Sequence, residues 1–223
     1  MRLPAGLQAV ILDLDGTLVD TAGDFVVALN LMLHDLGLPA IDHGFVARTV
    51  GKGSEHLIRQ TLAQSQDEAG VARLYDQAWA RYQHHYLAIN GEHAAVYPGV
   101  AEGLARLAAL GLPLACLTNK PTAFARPLLE RKGLVGHFRH VFGGDAFERK
   151  KPDPLPLLKA CEALGSVPAR TLMVGDSLND AQAARAAGCP VVLVTYGYNH
   201  GRPVHEVPAD GYVDRLDQLQ PAG

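Results

Sequence analysis

The stretch Ala9–Asp20, AVILDLDGTLVD, limits what this chain can fold into more than any other. Val10, Ile11 and Leu12 form a short apolar, β-branched run suited to a strand buried on both faces of a parallel sheet. The run stops at Asp13 and Asp15. In extended backbone alternate residues point the same way, so the two carboxylates project together with Leu14 turned aside. Gly16 follows and permits a sharp exit from the sheet. Like charges this close repel unless a cation, a proton or strong donors offset them, which points to a metal site or an acid/base pair. The bland alternative is a strand that ends in ordinary Asx turns.

At 223 residues the chain is long enough for one large domain, or one domain with a modest insertion, and for a full core without staples. Its hydrophobic fraction is 48% and its net charge -3, with no basic stripe that would argue for nucleic acid. Apolar runs are strand-length and interrupted, so no membrane span is expected. The N-terminal apolar run meets two aspartates where a cleavable signal needs small neutral residues, and a cytoplasmic protein is expected. Cys116, Cys161 and Cys189 are odd in number, far apart and in apolar settings, the pattern of free buried thiols.

From about Asp20 to Glu92 the spacing is helical, with no convincing strand. Phe25, Val26, Leu29, Leu33 and Leu36 mark a helix from Ala22 that Gly37 stops. A segment from Phe45 to Val50 leads into Gly51-Lys52-Gly53-Ser54, after which Leu57, Ile58 and Leu62 mark a second helix; Asp67 to Ala88 supplies a third, with Trp79 in its core. From Tyr97 strands and helices alternate as in a doubly wound α/β sheet. Strands are expected at Leu112–Leu117, Val141–Phe142, Thr171–Val174 and Val191–Val194, with Tyr212-Val213 as a short edge strand. The expected architecture is therefore a doubly wound, Rossmann-like parallel sheet formed by residues 1–17 and 94–223, with residues 18–93 inserted as an all-helical cap over the end of the sheet that carries Asp13.

Open α/β sheets bind ligands beyond the carboxyl ends of their strands. This chain places Asp13 and Asp15, then Thr118 and Asn119, then Asp176 and Asp180 at such ends, with Lys150 and Lys151 before a helix start. In that order DLDGTLVD, LTNKP, KKPDP and VGDSLND resemble the four motifs of the haloacid dehalogenase-like superfamily of phosphatases, and the resemblance spans nearly the whole chain. Within it, TNKPTAFARPLLE, GGDAFERKKPDPLPLL, GDSLNDAQAARAAGCP and TYGYNHG are similar to the bacterial phosphoglycolate phosphatase family.

Carried over by position, the resemblance implies an aspartyl-phosphate route. Asp13 would be the nucleophile. Asp15 would act as acid and then base, with its backbone carbonyl on the metal. Asp13, Asp15, Asp176 and Asp180 would form the surroundings of Mg²⁺, with Asp180 supporting that shell or orienting Lys151. Thr118, the Asn119 backbone N–H and Gly16 would hold the phosphate, and Lys151 would neutralise charge on the transferring group. A closing cap excludes bulk water and reads the organic part of the substrate. Lys52 is the candidate for pairing with a substrate carboxylate, against the plain reading of a flexible turn with Ser54 as helix cap. The expected partner is a small phosphate monoester, with no nucleic acid and no membrane. Rival readings are a sugar-phosphate phosphatase, a phosphoglucomutase-like enzyme of the same fold, and a receiver-type signalling module. His84-His85, adjacent on a helix, face different ways, and His200 and His205 lack ligand partners nearby, so all read as ordinary histidines. The segment Tyr196–His200 reads equally as a plain loop or as one that approaches the cap.

Overall fold

The computed structural model of the chain describes residues 1–221. Strand β1 (Ala9–Leu12) lies inside a six-stranded parallel sheet with β4 (Leu114–Leu117), β5 (His140–Phe142), β6 (Thr171–Gly175), β7 (Val191–Val194) and β8 (Gly211–Val213), in the order β5-β4-β1-β6-β7-β8. The chain runs outward from β1 to β5 on one side and from β6 to β8 on the other, so the strand order reverses beside β1, where α/β sheets open their ligand crevice. Register pairs Leu12 with Cys116 and with Val174. The residues just beyond these pairs, Asp13–Asp15, Thr118–Asn119 and Asp176, therefore emerge on one rim.

Period-two alternation divides the sheet between two cores. Val10, Leu12, Leu114, Cys116, Leu172 and Val174 face α5 (Val100–Ala109) and α6 (Thr122–Arg131), while Ile11, Ala115, Leu117, Met173 and Leu193 face α7 (Leu155–Leu164) and α8 (Leu178–Ala187). Each such fully buried aliphatic side chain contributes roughly 1.5–3 kcal/mol. Cys116, Cys161 and Cys189 are all buried and free.

Helices α1 (Ala22–Asp35), α2 (His43–Thr49), α3 (Ser54–Leu62) and α4 (Glu68–Ile89) build a third core from Phe25, Leu29, Met32, Ile58, Tyr82 and Tyr86, joined by Phe124 from α6. Trp79 packs at the edge of that core and is only partly buried. Helix α2 is one that the apolar spacing does not assign, the segment Phe45–Val50 being expected only to lead into Gly51; it starts at His43, because the Asp42 carboxylate accepts the Phe45 N–H at 2.6 Å and caps it there. A feature the periodicity does not show is a small antiparallel ribbon of β2 (Val19–Asp20) and β3 (Ala95–Val96), through which the chain enters and leaves the helical layer. Strands of two residues carry no repeat for a sequence pattern to reveal. No helix among the described residues is long and apolar enough to cross a membrane.

Candidate active site

At the exit of β1 and β6, carboxylate oxygens of Asp13, Asp176 and Asp180 lie within 4.8 Å of one another, all three residues buried. Asp180 is held by the start of α8: its Oδ2 accepts from Ser177 Oγ at 2.8 Å and from the backbone N–H groups of Asp176 and Ser177, each at 3.2 Å. That capping arrangement turns Oδ1 toward Lys151. Lys151 Nζ, only 2% exposed, donates to Asp180 Oδ1 at 2.7 Å and to the Leu117 carbonyl at 2.8 Å. It also lies 2.9 Å from Asp13 Oδ1, in charge contact but outside hydrogen-bond geometry, so that oxygen is buried without a donor. Asp176 is fixed by the Tyr198 N–H at 2.7 Å on Oδ2 and by Thr17 Oγ1 at 3.3 Å on Oδ1.

The electrostatics of the cluster are those of too many carboxylates. Burial, reinforced by Asp180, pushes Asp13 up from 3.8 to about 7 despite the opposing pull of Lys151. Burial and the neighbouring Asp180 and Asp13 likewise push Asp176 well above the usual carboxylate range. Lys151 is held above its ordinary value, because Asp13 and Asp180 outweigh the cost of burying its charge. Counting Asp15 and Lys120 beside them, four buried carboxylates face two buried ammonium groups. One divalent cation would cancel that excess, and an all-oxygen donor set with an orphaned oxygen on Asp13 fits a hard ion of that charge.

Asp15 stands apart from the three. Its Oδ1 accepts from Thr21 Oγ1 and from Lys120 Nζ, both at 2.8 Å. Asp15 lines a cavity of about 20 Å³, room for little more than one water molecule, together with Asp13, Phe25, Val50, Leu57, Thr118 and Lys120. Thr118 Oγ1 accepts the Lys120 N–H at 3.1 Å, which leaves the hydroxyl proton free to donate. The Asn119 side chain is engaged elsewhere, donating to the Gly51 and Lys151 carbonyls at 2.9 and 2.8 Å, so only its backbone N–H is available to a ligand.

Two expected site residues sit differently from the sequence expectation. The Gly16 N–H is taken by the Val19 carbonyl at 2.9 Å and is not available to a phosphate. Glycine is needed there because φ is +85° and a Cβ would run into the Asp176 carboxylate and the Tyr198 ring. Lys52 is exposed and lines outer grooves, one of them shared with Lys151 and Pro152, rather than the inner cavity. The cation that lines the inner cavity is Lys120, to which sequence reasoning gave no role; its only signal is its place directly after Thr118-Asn119. The segment after β7 does approach the helical layer. Tyr198 Oη accepts the Thr21 and Ala22 N–H groups at 2.8 and 3.0 Å and donates to Asp20 at 2.7 Å, capping α1 at the ribbon.

The chain's similarities are consistent with this geometry. Residues 10–194 match the sequence profile described as haloacid dehalogenase-like hydrolase. A phosphoglycolate phosphatase of Thiobacillus denitrificans is 46% identical over 96% of this chain and 94% of its own length. That of Nitrosospira multiformis is 45% identical over 97% and 95%. A solved structure described as a predicted phosphoglycolate phosphatase from Haemophilus somnus superposes with a TM-score of 0.89 at 32% identity, covering 95% of this chain and 96% of that one.

Proposed function

The chain belongs to the haloacid dehalogenase-like hydrolase family and is a phosphoric monoester hydrolase, and from that premise we propose that it hydrolyses 2-phosphoglycolate to glycolate and phosphate through a phosphorylated aspartate, with Mg²⁺ at the acidic cluster. The observation that carries this reading is the convergence of the Asp13, Asp176 and Asp180 carboxylates, with Lys151 against Asp13 and Asp180 and Asp15 on the cavity wall beside them. Asp13, Asp176 and Asp180 carboxylates, with the Asp15 carbonyl, would hold the cation, which when bound supplies charge neutralisation to the phosphoryl oxygens.

The remaining steps belong to the chain's own residues. The Asp13 carboxylate attacks phosphorus, the bond from phosphorus to the glycolate oxygen breaks, and Asp15 hands its proton to that leaving oxygen. Asp15, now a carboxylate, takes a proton from water as that water attacks the acyl phosphate; phosphate leaves and Asp13 is restored. Thr118 Oγ1 and the Asn119 N–H hold non-bridging oxygens, and Lys151 balances charge on Asp13 and the phosphoryl group. Phosphate-monoester hydrolysis requires accelerations approaching ~10²¹. A general acid supplies only about 10² to 10⁴ of that, so positioning and fixed positive charge carry the larger share.

The test is phosphate release from 2-phosphoglycolate and from a panel of sugar phosphates, with Mg²⁺ and with chelator. Highest kcat/KM on 2-phosphoglycolate, abolished by chelator and restored by Mg²⁺, supports the reading. A sugar phosphate turned over much faster would reject the substrate, and metal-independent turnover would reject the cation.

A further inference from the structure

The inner cavity holds one more feature than hydrolysis of the phosphoester bond demands. Among the described residues that line it, Lys120 alone is positively charged. Its side chain is 1% exposed and packs against aromatic faces, with Nζ 4.2 Å from the centre of the Phe25 ring and 4.8 Å from that of Tyr86. An ammonium carries three donors, and the structure engages one of them, on Asp15 Oδ1. Burying an ion pair is a poor way to gain stability, since desolvation consumes most of the attraction. A buried ammonium with one of its three donors engaged, on the wall of a reaction cavity, is therefore better explained by a ligand than by the fold.

We propose that Lys120 is the specificity-determining cation of this site, taking the carboxylate at the far end of the leaving group while the phosphoryl end faces Asp13 and Lys151. The proposal rests on the phosphoglycolate reading above and names the group that distinguishes this substrate from uncharged esters. The geometry follows from Asp15. To protonate the bridging oxygen, Asp15 must come within hydrogen-bond reach of it, and Lys120 is 2.8 Å from Asp15. In 2-phosphoglycolate the carboxyl carbon is two bonds from that oxygen, on the side away from phosphorus. The two unused donors of Lys120 thus lie where the carboxylate falls. Gly53 and Ser54, at the start of α3, line the same wall, and first-turn N–H groups of a helix lack partners within it. The site thereby reads both ends of a short dianion-plus-anion substrate from the sheet rim, with the helices closing over it.

The test uses two non-hydrolysable ligands, 3-phosphonopropionate, which copies 2-phosphoglycolate with the bridging oxygen replaced by methylene, and propylphosphonate, which lacks the carboxylate. Their affinities are measured by calorimetry on the Mg²⁺-loaded protein, wild type and Lys120→Met. Wild type is expected to prefer the carboxylate ligand by roughly 10- to 100-fold, the range of a charge-assisted hydrogen bond. Lys120→Met is expected to reduce that ratio to near unity, and Lys120→Arg to retain part of it. Should Lys120→Met fail to fold with Asp15 left unpaired, the double variant Lys120→Met/Asp15→Asn removes both charges and gives the same readout. A preference that survives loss of Lys120, an equal fall for both ligands, or a preference lost in Lys52→Ala instead, overturns the proposal. Fast turnover of a sugar phosphate and none of 2-phosphoglycolate would defeat the phosphoglycolate reading, whatever the binding ratio shows.

Discussion

Asp13 concentrates the chemistry and the electrostatic cost of the site in one side chain. Asp13→Asn removes the proposed nucleophile and one surplus charge while keeping shape, so turnover should fall by about 10⁴-fold or more, with the metal-free protein melting no lower than wild type. Measurable hydrolysis beyond that limit would contradict a covalent route. The sign of the pH effect follows from the same residue. Burial raises its folded pKa from 3.8 to about 7, so its contribution to stability is complete below the lower value and is lost as pH rises through the higher one. A divalent cation bound to the deprotonated cluster, as proposed, would restore what is lost there. At about 100-fold over its Kd such a ligand adds about 2.7 kcal/mol, or roughly 5–10 °C for a chain of this length. The expected Mg²⁺-induced rise in Tm is larger at pH 8 than at pH 5, and a rise independent of pH would place the ion elsewhere. At this scale the sequence was informative wherever a residue ends a buried strand: Asp13, Thr118 and Asp176 are put on one rim by register alone. It was uninformative about Lys120, because a residue's place in a motif does not say whether a flexible four-carbon side chain points to solvent or into a cavity.

Between elements, the contact with most leverage is the Gly51 carbonyl, which receives the Asn119 side chain at 2.9 Å and the Asn179 side chain at 3.1 Å. Two amides, Asn119 just beyond β4 and Asn179 in the first turn of α8, thus hold the α2–α3 loop down on the sheet. With a cavity of about 20 Å³ beneath it, that loop must lift for any substrate to enter. Asn179→Ala removes one of the two hydrogen bonds to the Gly51 carbonyl, worth about 0.5–1.5 kcal/mol, along with a contact to His200 at 3.2 Å, so amide exchange across Val50–Leu57 should speed up roughly 2- to 10-fold. Unchanged exchange would mean that Asn119 alone suffices. The helices themselves were legible because their apolar residues recur every three to four positions over several turns. The latch was not, since an asparagine after a strand, another in a helix's first turn and a glycine carbonyl have no pattern in common.

For the molecule as a whole, Tyr198 ties the last third of the chain to the point where the helical layer begins. Its hydroxyl replaces an N-cap for α1 and its N–H holds Asp176, so one residue touches both the ribbon and the acidic cluster. Tyr198→Phe deletes the cap but not the backbone contact. It should cost about 1–2 kcal/mol and lower Tm by roughly 2–8 °C, with Mg²⁺ affinity retained; a Tm unchanged within a degree would show that water caps the helix as well. The doubly wound sheet was evident from the alternation of elements after Tyr97, whereas this long-range clasp depends on tertiary placement that no local signal encodes. The ribbon of Val19–Asp20 and Ala95–Val96 has a broader consequence. Because the polypeptide departs and returns through neighbouring, paired residues, we expect what lies between to behave as a cassette that can be exchanged for another without rethreading the sheet. A transplanted lid would be expected to change how large a guest is admitted, while the taste for an acidic tail stays behind with Lys120 on the sheet side.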